Sequence, residues 1–285
     1  MKLSAIASRF SQTQSKKSIL RGLKRKMLFS CVLGIIASST LSYVCALELK
    51  TARYEGHRYV EGIVDLTKEP LKLYWKNEQT EQDFASIPTL ARHLSADQHE
   101  ELLFAVNSGI YAEHYTPLGL FIEKGITKVP LNTVTFNEGQ GNFALLPNGV
   151  FYVDDHNRAY IETTDNFAEF SQHKPIQYAT QSGPMLLING DYNHRFIEHS
   201  RSLKIRSGVC VMDQKVHFVV TEDSVNFFEF ATYFKDEIGC QDALYLDGTL
   251  ARLYHRGKTY GAPFWKAKPL VGIWGVTRPI TRPAP

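Results

Sequence analysis

Four stretches of the chain end an apolar, strand-like run in small and polar residues. They are LLFAVNSGIY with Asn107, Ser108 and Gly109; ATQSGPMLL with Gln181 to Pro184; IRSGVCV with Arg206 and Ser207; and LYLDGT with Asp247 and Gly248. Small residues beside polar ones let a ligand approach the backbone, and the polar groups then fix its orientation. A carboxylate, a guanidinium, an amide and hydroxyls on four such edges are the makings of a polar ligand pocket. Each stretch also has an ordinary reading. Asn107 to Gly109 is a common turn, Gly183-Pro184 punctuates a strand, and Arg206 pairs with a surface carboxylate. Asp247-Gly248 sits between two alternating runs in ALYLDGTLARLY, the signature of a tight hairpin. Other chemistries lack their patterns. The ten histidines show no HExxH, no facial triad and no cysteine pairing for zinc, and no GxSxG elbow, P-loop or dinucleotide fingerprint is present. No cofactor is called for. Asp154-Asp155 offers oxygen ligands for calcium without a supporting motif.

The elements that must position these residues read as mainly antiparallel strands. Hairpin turns are expected at Glu123 to Gly125, Pro147-Asn148-Gly149, Asn189-Gly190 and Asp213-Gln214. Phe227, Ala231, Phe234 and Ile238 form one apolar stripe at helical spacing, with Asn226 as cap, Glu229 three residues on and Gly239 after the end. A second helix is expected from a Ser95 cap to about Leu103. The class is α+β, an antiparallel sheet core carrying two or three helices in one domain. Its divisions are a leader over 1–46, N-terminal strands and a helix over 47–100, a core over 101–276, and a Pro-rich tail over 277–285.

The first 46 residues hold eight Lys or Arg and no acid, with the apolar run MLFSCVLGIIASSTLSYVCA at their end. Basic, then apolar, then small residues at Val44-Cys45-Ala46 is the build of an export signal cleaved after Ala46. The competing reading is an uncleaved anchor, the only route to a membrane here. The expected location is periplasmic or secreted. Without the leader, 24 Lys and Arg face 29 Asp and Glu, so a basic field for nucleic acid is absent. Cys210 and Cys240 then remain in an oxidising compartment, either bridged or as two small buried residues.

Six ordered motifs carry a family resemblance: N-S-G-I-Y (107–111), T-P-L-G-L (116–120), G-N-F-x-L-x-P-N-G-V-F-Y (141–152), Q-S-G-P-M-L (181–186), I-R-S-G-V (205–209) and A-L-Y-L-D-G (243–248). Together they resemble the bacterial exported branch of the phosphodiester glycosidase family over roughly residues 100 to 275. Where that family commonly has Leu-Asp-Gly-Gly-Gly-Ser, this chain has Leu246-Asp247-Gly248-Thr249-Leu250-Ala251. The resemblance implies hydrolysis of a sugar-1-phosphodiester through an oxocarbenium-like centre, with Asp247 stabilising or attacking the anomeric carbon. It implies that Arg206 and Ser207 hold phosphate oxygens and that Asn107 holds a sugar hydroxyl or orients water. Ser108, Gly109, Ser182, Gly183 and Gly248 would line the pocket. The leaving phosphate monoester is a weak base, with a second pKa of about 6, so charge stabilisation outweighs proton donation. Asp242, Glu113 and Glu222 stand equal as a second carboxyl. The partner is then a carbohydrate or glycosyl phosphate. Two further readings remain: a glycan-binding protein without turnover, and an assembly domain whose four edge segments lie far apart.

Overall fold

The computed structural model describes residues 46–134, 141–263 and 268–281. The leader and the end of the tail lie outside the described residues. Three antiparallel sheets make up the body. Numbered along the chain, the first runs β1 (Leu47–Tyr54), β2 (His57–Asp65), β13 (Lys215–Thr221), β12 (Ser207–Met212), β14 (Ala243–Asp247), β10 (Met185–Ile188) and β11 (Asp191–Tyr192). The second runs β16 (Lys258–Gly261), β15 (Arg252–His255), β4 (Glu100–Asn107), β17 (Ile273–Pro279) and β3 (Lys72–Tyr74). The third runs β6 (Ile126–Val129), β5 (Phe121–Glu123), β9 (Ile176–Ser182), β7 (Gly149–Asp154) and β8 (Ala159–Thr163).

Alternation along the strands decides where the core sits. Val216, Phe218 and Val220 of the first sheet, Val106, Leu253 and Trp274 of the second, and Phe121, Phe151 and Val153 of the third share one buried cluster. Gly62 lets the first two sheets meet, because a Cβ there would stand 2.4 Å from the Phe104 ring. Each outer face has its own helix. Helix α1 (Ile87–His93, continued by Leu94–Gln98) covers the second sheet with Ile87, Leu90 and Leu94. Helix α2 (Thr164–Asn166, continued by Phe167–Ser171) brings Phe167 to the third, and α3 (Phe227–Thr232, continued by Tyr233–Ile238) brings Phe230 and Phe234 to the first. The class is α+β, as the sequence implied.

Helix α3 has the ends its sequence called for: Asn226 and Glu229 form a capping box, and Gly239 closes it at φ +87°. Asn189-Gly190 and Asp213-Gln214 turn two-residue hairpins with positive φ at both positions. Cys210 and Cys240 are joined by a disulfide.

Four expectations are corrected. The second helix starts upstream, capped by Ser86, and ends before His99. Residues from Glu100 onward form β4, which pairs with strands on both sides and is apolar on both faces because Leu103, Phe104 and Val106 enter the shared core while Leu102 and Ala105 pack in the α1 layer. Pro147-Asn148-Gly149 is no hairpin, since one short turn (Asn142–Ala144) precedes it and β7 pairs with β8 and β9 instead. ALYLDGTLARLY is no hairpin either. Its two halves, β14 and β15, belong to different sheets, and neither Asp247 nor Gly248 has the positive φ of a primed turn. The tail also begins later than 277, because β17 continues through Pro279.

Candidate active site

The crossing from β14 to β15 brings the predicted residues together. Asn107 ends β4, Ser182 ends β9, Ser207 opens β12 and Asp247 ends β14. All three sheets therefore supply a strand end to one place. Ser207 Oγ donates to the Asp247 carbonyl (2.8 Å) and accepts from the Asp247 N–H (3.1 Å) and Asn107 Nδ2 (2.9 Å). Asn107 Oδ1 accepts from the Arg252 N–H at 3.1 Å. Ser182 Oγ donates to the Leu246 carbonyl (3.1 Å) and accepts from the Ile110 N–H (3.2 Å). Ser108 is tied by its hydroxyl to Val271 and by its N–H to Gly272. Gly109 lies against Ser182, 3.2 Å from a would-be Cβ, and Gly183 is packed on the Asn148 side chain. The assembly reading required these segments to lie apart, and they do not.

Those bonds set the roles. The Ser207 hydroxyl, read from sequence as a phosphate contact, and the Ser182 hydroxyl, on a residue read as pocket lining, are staples between strand ends. Asn107 holds Ser207 with one amide proton still uncommitted. Arg206 is 1% exposed and faces the helix layer rather than an open phosphate site. Its Nε donates to the Val225 carbonyl and one Nη to the Ser202 carbonyl, each at 2.8 Å, and the guanidinium lies 3.7 Å from the Phe227 ring centre. Burial lowers its pKa, and the fork expected for phosphate is occupied by the protein's own backbone.

Asp247 is the group left with chemistry to do. Its carboxyl is 6% exposed and has no ion pair among the described residues. Burial pushes it up to about 6, against the pull of the Leu250, Thr249 and Gly248 N–H groups and the Lys268 charge. Leu250 N–H donates to Oδ1 at 2.7 Å, so the acid caps the turn that follows it.

Sequence reasoning passed over the neighbours. Tyr245, two residues earlier on the same strand face, brings its hydroxyl to 2.7 Å from where a Gly248 Cβ would stand. Any side chain at 248 would collide with it. Burial, then the Asp247 charge, raises the hydroxyl pKa of both Tyr245 and Tyr111. The period of two along β14 was the available signal for Tyr245, and Tyr111 closes the N-S-G-I-Y motif, from which only Asn107, Ser108 and Gly109 were given roles. Of the candidate second carboxyls, Asp242 lies at the far end of β14 and accepts from Asn189 N–H, while Glu222 pairs with Arg58. Glu113 sits in an exposed turn two residues after Tyr111. Asp154 and Asp155 cluster with His156 at the end of β7 away from Ser182. Asp154 already holds Arg158 and two backbone N–H groups there.

The described residues contain no helix long and apolar enough to cross a membrane. Residues 100–277 match the family model described as phosphodiester glycosidase. The chain is 34% identical over 264 residues to the uncharacterised protein YigE of Escherichia coli K12, covering 92% of this chain and 96% of that one. In fold it is similar to the catalytic domain of zebrafish N-acetylglucosamine-1-phosphodiester alpha-N-acetylglucosaminidase, with a TM-score of 0.51 and 15% identity over 82% of this chain and 84% of that one. A hypothetical protein from Synechocystis has a similar fold (TM-score 0.53, 15% identity), with 81% of this chain and 61% of that one covered. A family model matched over residues 100–277, more than half the length and a range that contains the four strand ends around Asp247, places the chain in the phosphodiester glycosidase family.

Proposed function

We propose that the protein is an exported hydrolase that cleaves a sugar-1-phosphodiester in envelope or extracellular glycan. The observation that carries this reading is the buried, unpaired carboxyl of Asp247 at the point where strand ends of three sheets are stapled together. In the step, water adds to the anomeric carbon and the bond from that carbon to the bridging oxygen breaks. The phosphate monoester leaves with the bridging oxygen and the bonding electrons, and the water proton passes to solvent. Ionised Asp247 stabilises the positive charge that builds on the sugar ring. The bridge between Cys210 and Cys240 and the leader composition support an oxidising location outside the cytosol. Incubation with a panel of sugar-1-phosphodiesters, read by released reducing sugar, tests it. Release by the wild type and none by Asp247→Asn is the expected result; no release from any member contradicts it.

A glycan-binding protein without turnover is the second reading. It is favoured by one observation, that Oδ1 of Asp247 is already engaged by Leu250 in a turn lacking the family's later glycines. It predicts saturable binding of sugar phosphates with no product.

A further inference from the structure

A cationic strap borders the Asp247 site in a body that is otherwise acidic. Between β11 and β12, residues 194–204 carry Arg195, Arg201 and Lys204 with a single acid, Glu198. All four are exposed, and so are Ile197 (70%) and Leu203 (51%). Arg201 and Lys204 have no ion pair among the described residues. The strap is held from beneath. Asn226 Nδ2 donates to the Glu198 and Ser200 carbonyls, Arg206 donates to the Ser202 carbonyl, Lys204 pairs by its backbone with Val225, and Phe196 stacks on Phe227. Its far end reaches the site, with Ile205 O at 3.0 Å and Lys204 Cβ at 3.6 Å from a would-be Gly248 Cβ.

Resting on the reading of Asp247 given above, we propose that the substrate is a polymer, a glycan whose units are joined through phosphodiesters, and that this strap binds the units next to the one being cleaved. Three points favour it. The cations follow one another along the strap toward the catalytic acid, and the last of them, Lys204, stands beside the Gly248 turn. They alternate with aliphatic side chains, which suits sugar faces alternating with phosphates. Residues 47–285 are net acidic, so the three cations of the strap are a local source of attraction for a polyanion beside the site. Preorganised backbone keeps the ordering cost of binding low.

The test compares a synthetic glycosyl phosphate trimer with the matching single glycosyl phosphodiester, the sugar being the one the panel shows to be turned over. Wild type is expected to favour the trimer by about tenfold in kcat/KM at low salt, with the preference shrinking as salt screens it. Arg201→Glu combined with Lys204→Glu brings the two substrates within about twofold of each other, while Lys215→Glu, at the opposite end of β13, keeps the preference. Equal rates in wild type, or a preference that persists in the double variant, overturns the proposal. If wild type turns over neither substrate, the catalytic reading fails separately, and the strap is judged by binding of a short inorganic polyphosphate. Binding lost in the double variant supports it, and binding that is retained or absent in wild type overturns it. Strap-dependent binding to phosphatidylglycerol vesicles without binding to polyphosphate assigns the surface to lipid and also overturns it.

Discussion

Asp247 is a carboxylic acid whose midpoint is raised toward neutral pH. Burial raises it from 3.8 to about 6, so ionised and neutral forms are both populated around pH 6. If the carboxylate acts on the anomeric carbon, the rate rises with pH through about 6 and levels above it. A rate falling across the same window makes Asp247 a proton donor instead. The same shift works against stability. Between its ordinary value and about 6 the folded protein holds a proton that the unfolded chain has released, so stability declines as pH rises through that window. Asp247→Asn removes a cost on the order of 3 kcal/mol at pH 7.5. The variant should lose at least about 10²-fold in rate while melting no lower than wild type. A melting temperature that drops well below wild type contradicts the assignment. Arg206 behaves in the opposite way. Arg206→Ala leaves the Val225 and Ser202 carbonyls buried without donors and costs about 3 kcal/mol in urea unfolding; unchanged stability returns the guanidinium to the substrate. At this scale the sequence singled out residues that gather, but not that Arg206, Ser207 and Ser182 spend their hydrogen bonds on the protein itself. Asn107 and Ser207 are 100 positions apart, and whether a hydroxyl meets substrate or another strand end depends on that distant partner.

The elements were legible where the signal is local. The Asn226 cap, its Glu229 partner and Gly239 fixed α3 within one residue at each end, because every atom involved lies within a turn of the others. ALYLDGTLARLY failed for the complementary reason. Alternation marks each half as a strand but cannot say which sheet receives it, and here the Asp-Gly pair crosses between sheets. That crossing places Asp247 beside Ser207 rather than at a solvated tip. Helix α3 in turn is tied to β12 by the Cys210–Cys240 bridge, 30 residues apart and enclosing β13. Replacing both cysteines by serine is expected to cost about 3 kcal/mol on the chain-entropy account, read as a lower melting temperature. Asn226→Ala should cost about 1 kcal/mol for the lost cap. It should also speed backbone amide exchange over 198–202, because two strap carbonyls lose the same donor. Exchange unchanged there denies Asn226 a role in holding the strap.

At the largest scale, the described residues form three sheets around one shared core, each with a helix on its outer face. Such a frame makes a site at the common strand ends rigid, since β4, β9, β12 and β14 cannot shift independently while they share Phe104, Phe151 and Trp274. Turn and periodicity signals indicated the class and composition the acidic body, whereas partition into three sheets depends on pairings between distant segments that no local pattern records. The most direct measurement is hydrolysis of a sugar-1-phosphodiester panel by wild type and by Asp247→Asn at matched, verified folding. At least one member should be cleaved by wild type at a rate that vanishes in the variant. Equal cleavage by both proteins would contradict the central role of this carboxyl, and a wild type that binds the panel without cleaving any of it would contradict catalysis itself.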